Sequence, residues 1–202
     1  MASSDSNEVP TPSAPGAAGS IFLIGPMGSG KSAVGKALAQ MRGLGFIDSD
    51  REIERRTGVD VALIFEKEGE AGFRNREREV IEHLTRLPGV VLATGGGAVL
   101  LAENREWLRS RGIVVYLEAS VAQQVERTRY ARHRPLLADV DPQTRLADLM
   151  RAREALYRSI AHITVTTDRR KVRTVAAHIA TALDEFERTA APPVGGAAGD
   201  SA

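Results

Sequence analysis

The stretch Gly25-Pro26-Met27-Gly28-Ser29-Gly30-Lys31-Ser32 matches the pattern G-x-x-x-x-G-K-S. It follows a short apolar run, Ile21–Ile24, and precedes a helical pattern over Ser32–Met41. A strand, a glycine-rich loop and a helix in succession are typical of a P-loop, in which backbone N–H groups and the helix N-terminus surround a phosphate. Because both flanks fit, we prefer this interpretation to a plain glycine-rich turn.

Within this loop, each residue type has a defined task. The lysine, Lys31, would reach the β- and γ-phosphates, and the hydroxyl of Ser32 would bind Mg²⁺. The glycines would let the backbone turn its N–H groups inward around the phosphates. The nucleotide-binding residues predicted from the loop are Gly28, Ser29, Gly30, Lys31, Ser32 and Ala33.

Short apolar runs alternate with longer helical patterns outside the loop, as in an α/β protein whose parallel strands are covered on both faces. Helix-capping patterns occur at Ser120-x-x-Gln123 and at Asp141-Pro142. We therefore predict a three-layer α/β/α fold around a central five-stranded parallel sheet. The predicted strands are Ile21–Ile24, Gly45–Ile47, Val90–Ala93, Ile113–Leu117 and His162–Val165.

Composition excludes several classes of protein. The absence of cysteine rules out a disulfide scaffold, a Cys-ligated metal site and a thiol nucleophile. Lys plus Arg (27) nearly equals Asp plus Glu (26), so no general affinity for nucleic acid or membrane surfaces is expected. Residues 1–20 lack the basic and apolar regions of a secretory signal, and no apolar run approaches the ~20 residues of a membrane span. We expect a cytoplasmic protein.

The two ends of the chain differ from its middle. Residues 1–19 and 189–202 are rich in Pro, Ser, Gly and Ala, contain no Lys or Arg, and are predicted to be disordered tails. Residues 20–188 are predicted to form a single domain. Because the tails carry three acidic residues, this domain has a formal excess of four positive charges.

Two acidic positions are candidates for the metal-binding carboxylate that accompanies a P-loop. One is Asp48-x-Asp50 after the second predicted strand, and the other is Glu118 after the fourth. In a strand-like extension, Asp48 and Asp50 would share a face, so that one could serve the metal and the other a substrate hydroxyl. The alternative is that Ser49 or Asp50 is a helix N-cap.

Three further features indicate a small anionic substrate. Arg74 lies three residues before Glu77 in a helical pattern and could be held by it, while Arg153 lies within an apolar helical stripe. Two such guanidinium groups could bind a carboxylate, although surface pairing and snorkelling are the ordinary alternatives. Gly95-Gly96-Gly97 follows a predicted buried strand and favours close approach of the backbone to a ligand.

The segment from Arg127 to Leu137 begins with four arginines and no acid in eight positions. Beside a P-loop, it predicts a mobile lid, at about 128–140, which closes over the nucleotide and brings an arginine to the transferred phosphoryl group. Contact with RNA is the alternative, but the segment lacks interleaved aromatic residues, Tyr130 apart.

Taken together, these motifs resemble the shikimate kinase family over about residues 20–185. Besides the P-loop and Asp48-x-Asp50, the resemblance includes a phenylalanine-arginine segment ending at Arg74, the glycine triplet and two later motifs. These are Arg134-Pro135-Leu136-Leu137 and Arg153-x-x-Leu156-Tyr157-Arg158. The sequence departs from many relatives at Val172, where they have a proline beside the adenine ring.

The resemblance implies a P-loop kinase fold of the nucleoside monophosphate kinase type, with substrate-binding helices at about 49–80. It implies Mg-dependent transfer of the ATP γ-phosphate to the 3-hydroxyl of shikimate, on the route to chorismate and the aromatic amino acids. One Mg²⁺ per subunit and a monomer are expected. The alternatives are another small P-loop kinase, such as a gluconate kinase, or a non-catalytic nucleotide-binding module.

The resemblance also assigns roles to residues. The metal site is Ser32 and Asp48, and the catalytic residues are Asp50 as proton acceptor with Lys31 and Arg134 on the phosphoryl group. Arg127, Arg134 and Arg170 join the P-loop in binding ATP. The implied shikimate-binding residues are Asp50, Phe65, Phe73, Arg74, Glu77, Gly95, Gly96, Gly97 and Arg153.

Overall fold

The structure, a computed structural model, describes residues 19–129 and 141–190. At its centre is a five-stranded sheet in which every pair of neighbours is parallel. The strand order is β2-β3-β1-β4-β5. The strands are β1 (Ile21–Ile24), β2 (Gly45–Asp48), β3 (Val90–Ala93), β4 (Ile113–Glu118) and β5 (Ile163–Thr166).

Helices connect the strands and cover both faces of the sheet. A short 3-10 helix, Ala98–Leu100, follows β3. The α-helices are α1 (Lys31–Arg42), α2 (Ser49–Thr57), α3 (Val61–Leu84), α4 (Ala102–Arg111), α5 (Val121–Thr128), α6 (Pro142–Ile160) and α7 (Val172–Ala190). The helix α3 is interrupted at Gly69, whose φ of 69° and ψ of −175° are not helical.

Two hydrophobic clusters lie on opposite faces of the sheet, since successive side chains of a strand point to opposite sides. Along β1, Ile21 and Leu23 pack with α1 and α7. Phe22 and Ile24 pack with α2, α3, α4 and α6 on the other face. All four β1 side chains are fully buried, which explains their uninterrupted apolar sequence. The predicted three-layer α/β/α architecture is confirmed.

The order of the strands determines where ligands can bind. From β1 the chain crosses to the edge strand β2 and returns through β3, whereas β4 and β5 lie on the other side of β1. In open parallel sheets of this kind, ligands bind at the carboxyl ends of the strands where the order reverses. Here that position lies between β1 and β3, which are followed by the P-loop and by the glycine triplet.

The predicted strands agree with the observed ones to within one residue at either end. Asp141 caps α6, since its carboxylate accepts a hydrogen bond from the Thr144 amide at 2.8 Å. Ser120 caps α5 by accepting from the Gln123 amide at 3.2 Å. The side-chain oxygen of Gln123 does not accept from the Ser120 amide, however, because it accepts from the Arg169 amide. The Ser120 amide donates instead to Asp168. The capping box is therefore only half formed.

Some expectations fall outside the described residues. These are almost all of both predicted tails and most of the predicted lid, including Arg134 and residues 135–137. Within 19–129 and 141–190, no helix has the length and apolar character that a membrane crossing requires.

Candidate active site

A cleft with a volume of about 530 Å³ opens at the carboxyl ends of β1 and β3. The P-loop forms one side, the start of α2 and the middle of α3 form another, and the glycine triplet forms the floor. Sixteen of the site residues predicted from the sequence line it. They are Gly28, Gly30, Lys31, Ser32, Ala33, Asp48, Asp50, Phe65, Phe73, Arg74, Glu77, Gly95, Gly96, Gly97, Arg127 and Arg153.

The P-loop has the backbone conformation that its glycines permit. Gly28 and Gly30 have φ values of 78° and 93°, in the left-handed region that other residues rarely adopt. No side chain caps the first turn of α1, so its N–H groups remain available to a phosphate. The Lys31 ammonium donates to the carbonyls of Gly25 and Pro26, both at 2.8 Å. These two hydrogen bonds fold the loop back over the Lys31 side chain.

Asp48 is the acid that lies beside the P-loop. The Ser32 hydroxyl donates to Asp48 Oδ2 at 2.6 Å, across 16 residues of sequence. Glu118, the other candidate, instead pairs with Arg158 at 2.5 Å and accepts from Thr166 at 3.1 Å. The tertiary structure therefore distinguishes the two candidates that the sequence left open.

These oxygen atoms suit a magnesium ion. A hydroxyl and a carboxylate are hard ligands, and Mg²⁺ commonly takes only one or two of these from a protein, together with waters and phosphate oxygens. Among the described residues, no group of three or more His, Cys, Asp or Glu side chains could hold a metal. The pair Ser32 and Asp48 thus fits a cation that a bound nucleotide also coordinates.

The local geometry of Asp50 differs from the sequence-based expectation. The chain does not extend beyond β2, because α2 begins at Ser49. Asp48 is the N-cap of α2, and its Oδ1 accepts from the amides of Asp50 at 3.1 Å and Arg51 at 3.4 Å. The expected strand-like arrangement was wrong, as was the alternative that Ser49 or Asp50 is the cap. Asp50 lies in the first turn of the helix.

Two carboxylate oxygens without partners meet at the floor of the cleft. Asp50 Oδ1 and Glu77 Oε1 are buried and lack hydrogen-bond partners within the described residues. A Cβ added to Gly95 would lie 2.8 Å from the first and 2.6 Å from the second, so only glycine fits between them. Such unsatisfied acceptors at a ligand site are ready to receive hydroxyl donors.

Burial raises the pKa of Asp50 to about 7, and the negative charges of Glu77 and Asp48 add to the increase. The charges of Lys31 and Arg74 oppose it. Burial likewise raises the pKa of Glu77, against the opposing effect of Arg74. A carboxylate with a pKa near neutrality is suited to accept a proton from a substrate.

The raised pKa predicts a pH-dependent stability. Because the pKa of Asp50 is higher in the folded state, its stabilising contribution is complete below about pH 4 and is lost as the pH rises through about 7. Asp50→Asn cannot ionise, so it avoids this loss of folding stability at high pH. Without ligands at pH 8, we expect the variant to melt on the order of 3 °C above the unmodified protein. At pH 5 the difference should shrink.

Thermal unfolding followed by circular dichroism at the two pH values measures this difference. The exposed ion-pair residue Asp148 provides a matched Asp→Asn control. If Asp50→Asn lowered the melting temperature equally at both pH values, the expectation would be wrong.

Arg74 is held rigidly at the edge of the cleft. Its Nη1 donates to Glu77 Oε2 at 2.6 Å, and its Nη2 donates to Glu70 Oε1 at 3.0 Å. The guanidinium lies over the ring of Phe73, 5.2 Å from the centroid. Phe73 in turn packs against Phe65 at a centroid distance of 4.6 Å. The predicted pairing of Arg74 with Glu77 is confirmed.

Arg153 differs from Arg74 in its partners. It is buried on α6, with 6% of its surface exposed. Among residues 19–129 and 141–190 it forms no ion pair with a carboxylate. A buried guanidinium strongly favours an anionic partner. Since Arg153 lines the cleft, an anionic group of a ligand could fill that role.

Gly97 leaves space for the Arg74 guanidinium. Its φ of −97° would suit alanine, but an added Cβ would collide with Nη1, Nη2 and Cζ of the guanidinium group. Gly97→Ala should displace Arg74 and raise the KM for an anionic substrate about tenfold, since a charge-assisted hydrogen bond contributes about 1.5–3 kcal/mol. Steady-state kinetics with each substrate varied in turn provide the measurement.

The matched control is Gly19→Ala, whose added methyl group would meet no heavy atom within 4 Å. An unchanged KM in Gly97→Ala would show that Arg74 does not need its observed position.

Other predicted nucleotide-binding residues lie at or beyond the rim of the cleft. Arg127 donates to the Gly28 carbonyl at 3.1 Å and to Thr167 O at 2.8 Å. Arg170 is exposed in the turn after β5 and does not line the cleft, although its amide also donates to Thr167 O, at 3.4 Å. Ser29 belongs to the P-loop, but its side chain is fully buried and does not line the cleft. Their roles in binding ATP remain predictions, as does that of Arg134.

Sequence reasoning missed four residues that line the cleft: Met27, Glu54, Val61 and Thr94. The Glu54 carboxylate accepts from the Val61 amide at 3.2 Å and so joins the end of α2 to the start of α3. Thr94 Oγ1 donates to the Leu23 carbonyl at 3.1 Å. Two of the four could have been found from the sequence: Met27 lies within the P-loop motif, and Thr94 lies between β3 and the glycine triplet.

Comparison with known proteins agrees with this arrangement. The family model described as "Shikimate kinase" matches residues 27–184. The shikimate kinase of Methylococcus capsulatus is 54% identical over 165 residues, which are 82% of this chain and 92% of that protein. The chain belongs to the shikimate kinase family.

A solved shikimate kinase has the same fold. The enzyme from Acinetobacter baumannii, determined in complex with shikimate, superposes with a TM-score of 0.83 at 48% identity, covering 84% of this chain and 95% of that one. A gluconokinase from Sinorhizobium meliloti reaches a TM-score of 0.55 at 20% identity, covering 86% of this chain and 98% of that one, and so shares the fold alone. As a shikimate kinase, the protein is an ATP-dependent phosphotransferase.

Proposed function

We propose that the protein transfers the γ-phosphate of ATP to the 3-hydroxyl of shikimate, giving shikimate 3-phosphate and ADP. The observation that carries the proposal is that a P-loop, a buried carboxylate with an unpartnered oxygen and two arginines line one and the same cleft. A substrate that carries hydroxyl groups and a carboxylate requires such acceptors and such cationic groups for binding. Membership of the family supports the same reaction.

In the proposed reaction, Arg153 and Arg74 bind the carboxylate of shikimate, and Asp50 accepts a hydrogen bond from the hydroxyl that is phosphorylated. Asp50 takes the hydroxyl proton as the oxygen attacks the γ-phosphorus and the bond to ADP breaks. Glu77 orients Arg74 and offers its free oxygen to a second hydroxyl. The raised pKa of Asp50 supports its assignment as the proton acceptor.

Charge on the phosphates is balanced by groups on the other side of the cleft. Lys31 would exchange its contacts with the Gly25 and Pro26 carbonyls for phosphate oxygens. Ser32 and Asp48 would hold one Mg²⁺, which neutralises phosphate charge when bound. Arg134 is proposed to join Lys31 on the transferred group. Arg127, close to Thr167 and the P-loop, would lie beside the nucleotide.

The aromatic residues of α3 are proposed to exclude water from the acceptor. Phe65 and Phe73 form a tilted pair on the cleft wall, next to the Arg74 guanidinium. A dry wall strengthens the interaction of the arginines with a carboxylate and reduces loss of the phosphoryl group to water. We further propose that the enzyme acts as a cytoplasmic monomer.

A coupled assay of ADP release tests the proposal. Turnover with shikimate and Mg-ATP should greatly exceed turnover with gluconate. Preference for gluconate would contradict the assignment, and ATP binding without turnover of any hydroxy acid would indicate a non-catalytic module. Gel filtration with light scattering tests the monomer.

A further inference from the structure

A hydroxyl from α6 contacts the backbone of the glycine triplet. The phenol oxygen of Tyr157, which is completely buried, donates a hydrogen bond to the Gly96 carbonyl at 2.5 Å. The ring of Tyr157 stacks on that of Tyr116 in β4, with centroids 5.1 Å apart and planes inclined by 19°. Packing therefore fixes the ring, and the hydroxyl is directed at the loop. Tyr157 also lies one helical turn after Arg153.

The three carbonyls of Gly95–Gly97 all accept hydrogen bonds from the protein. The amides of Ala98 and Leu100 donate to the first and third carbonyls at 3.2 Å and 2.9 Å. These two bonds belong to the turn and the 3-10 helix, so the local chain alone can form them. The middle carbonyl receives its donor from Tyr157, 61 residues away in sequence.

The amides of the triplet are used differently. The Gly95 amide donates to the hydroxyl of Ser49, which is fully buried between Asp48 and Asp50, at 2.9 Å. The amides of Gly96 and Gly97 have no acceptor in the part of the chain that the structure describes. Because the carbonyls are occupied and two amides are not, the loop offers donors to whatever binds in the cleft.

We infer that Tyr157 is a positioning residue for the acceptor substrate. Its hydroxyl holds the Gly96 carbonyl away from the cleft, so that the neighbouring amides face the substrate. It also keeps the glycine triplet in a fixed position relative to Arg153. This role rests on the proposed function, since it assumes that an anionic acceptor lies against both groups. Tyr157 itself does not line the cleft.

The conformational freedom of glycine explains why the triplet needs a hydrogen bond that fixes its backbone. Without a Cβ, a glycine peptide can rotate between conformations that other residues exclude. If the Gly96 carbonyl lost its donor, it would remain as an unsatisfied acceptor and could turn towards the cleft. There it would repel the carboxylate that Arg153 attracts. Burial raises the pKa of the Tyr157 phenol, against the opposing charge of Arg153 and a side-chain hydrogen bond with it, so the hydroxyl remains a donor throughout the neutral range.

The test is Tyr157→Phe, which removes the hydroxyl and keeps the ring. We expect the KM for shikimate to rise about tenfold, since an unsatisfied buried acceptor weakens the site by this order. The KM for ATP should stay within about twofold, because the nucleotide contacts lie elsewhere. Calorimetric titration with shikimate should show the same weakening.

Tyr116→Phe is the matched control. It makes the same chemical change in the ring stacked on Tyr157, and the Tyr116 hydroxyl has no hydrogen-bond partner among the described residues. We expect both KM values to remain unchanged in this variant. Ser49→Ala, which removes the other side-chain hydrogen bond to the triplet, should also raise the KM for shikimate selectively.

Shikimate turnover by the unmodified protein is measured first, since its absence would contradict the proposed function. With that turnover established, an unchanged KM for shikimate in Tyr157→Phe, an equal rise in both KM values, or the same rise in Tyr116→Phe would overturn the positioning role alone. Should Tyr157→Phe fail to fold, an unchanged KM in Ser49→Ala would overturn it.

Discussion

Asp50→Asn should lower kcat by about 10²–10⁴-fold while leaving ATP affinity nearly unchanged, because general-base catalysis contributes a factor of this order. The amide keeps the shape of the side chain but cannot take the hydroxyl proton. The nucleotide contacts predicted for Lys31 and Ser32 do not involve Asp50. Rapid-quench measurement of phosphoryl transfer, together with calorimetric titration of ATP, separates the chemical step from binding.

The matched control is again Asp148→Asn, a change in an exposed ion pair on α6. It should leave kcat and ATP affinity as in the unmodified protein. If Asp50→Asn retained turnover within about threefold of the unmodified protein, a loss far smaller than that expected for removal of a general base, another group would have to accept the proton. A large loss of ATP affinity would instead place Asp50 in the nucleotide site.

Arg153→Ala should raise the KM for shikimate about a hundredfold and change the KM for ATP little. Removing a buried guanidinium from a charge-assisted pair with a carboxylate weakens binding by about 2–5 kcal/mol. Arg74 cannot compensate fully, since Glu77 and Glu70 already neutralise it. Steady-state kinetics with each substrate varied separately measure the two KM values.

Two comparisons make this experiment specific. Arg151→Ala, on the same helix but 79% exposed at the side chain, should change neither KM. A shikimate analogue with the carboxylate reduced to an alcohol should bind weakly to the unmodified protein and about equally to Arg153→Ala. Equal effects of Arg153→Ala on both KM values, or continued discrimination between the acid and the alcohol, would contradict carboxylate binding.

Most of the fold could be predicted because its signals are local. The central strands β1, β3 and β4 are nearly continuous apolar runs because they are buried, and the predicted ends of all five strands agreed to within one residue. The pairing of Arg74 with Glu77 was also predictable, since positions three apart on a helix are neighbours. The P-loop is a local motif as well, and all its predicted residues except Ser29 line the cleft.

The environment of Asp50 shows where local reasoning fails. A spacing of two residues places side chains on one face only in a strand, and Asp48 ends the strand by capping a helix. The unpartnered oxygen of Asp50 reflects the approach of Gly95 and Glu77, 45 and 27 residues away in sequence. No spacing within a short segment contains that information.

The sequence by itself determined the strand-loop-helix start, the succession of strands and helices, and the chemical groups available for catalysis, because each depends on neighbouring residues. Only the tertiary structure decided that Asp48 rather than Glu118 lies beside Ser32, and that Tyr157 and Ser49 hold the glycine triplet. Those contacts join residues between 16 and 61 positions apart. They depend on which strands become neighbours in the sheet, and only packing of the whole chain settles that order.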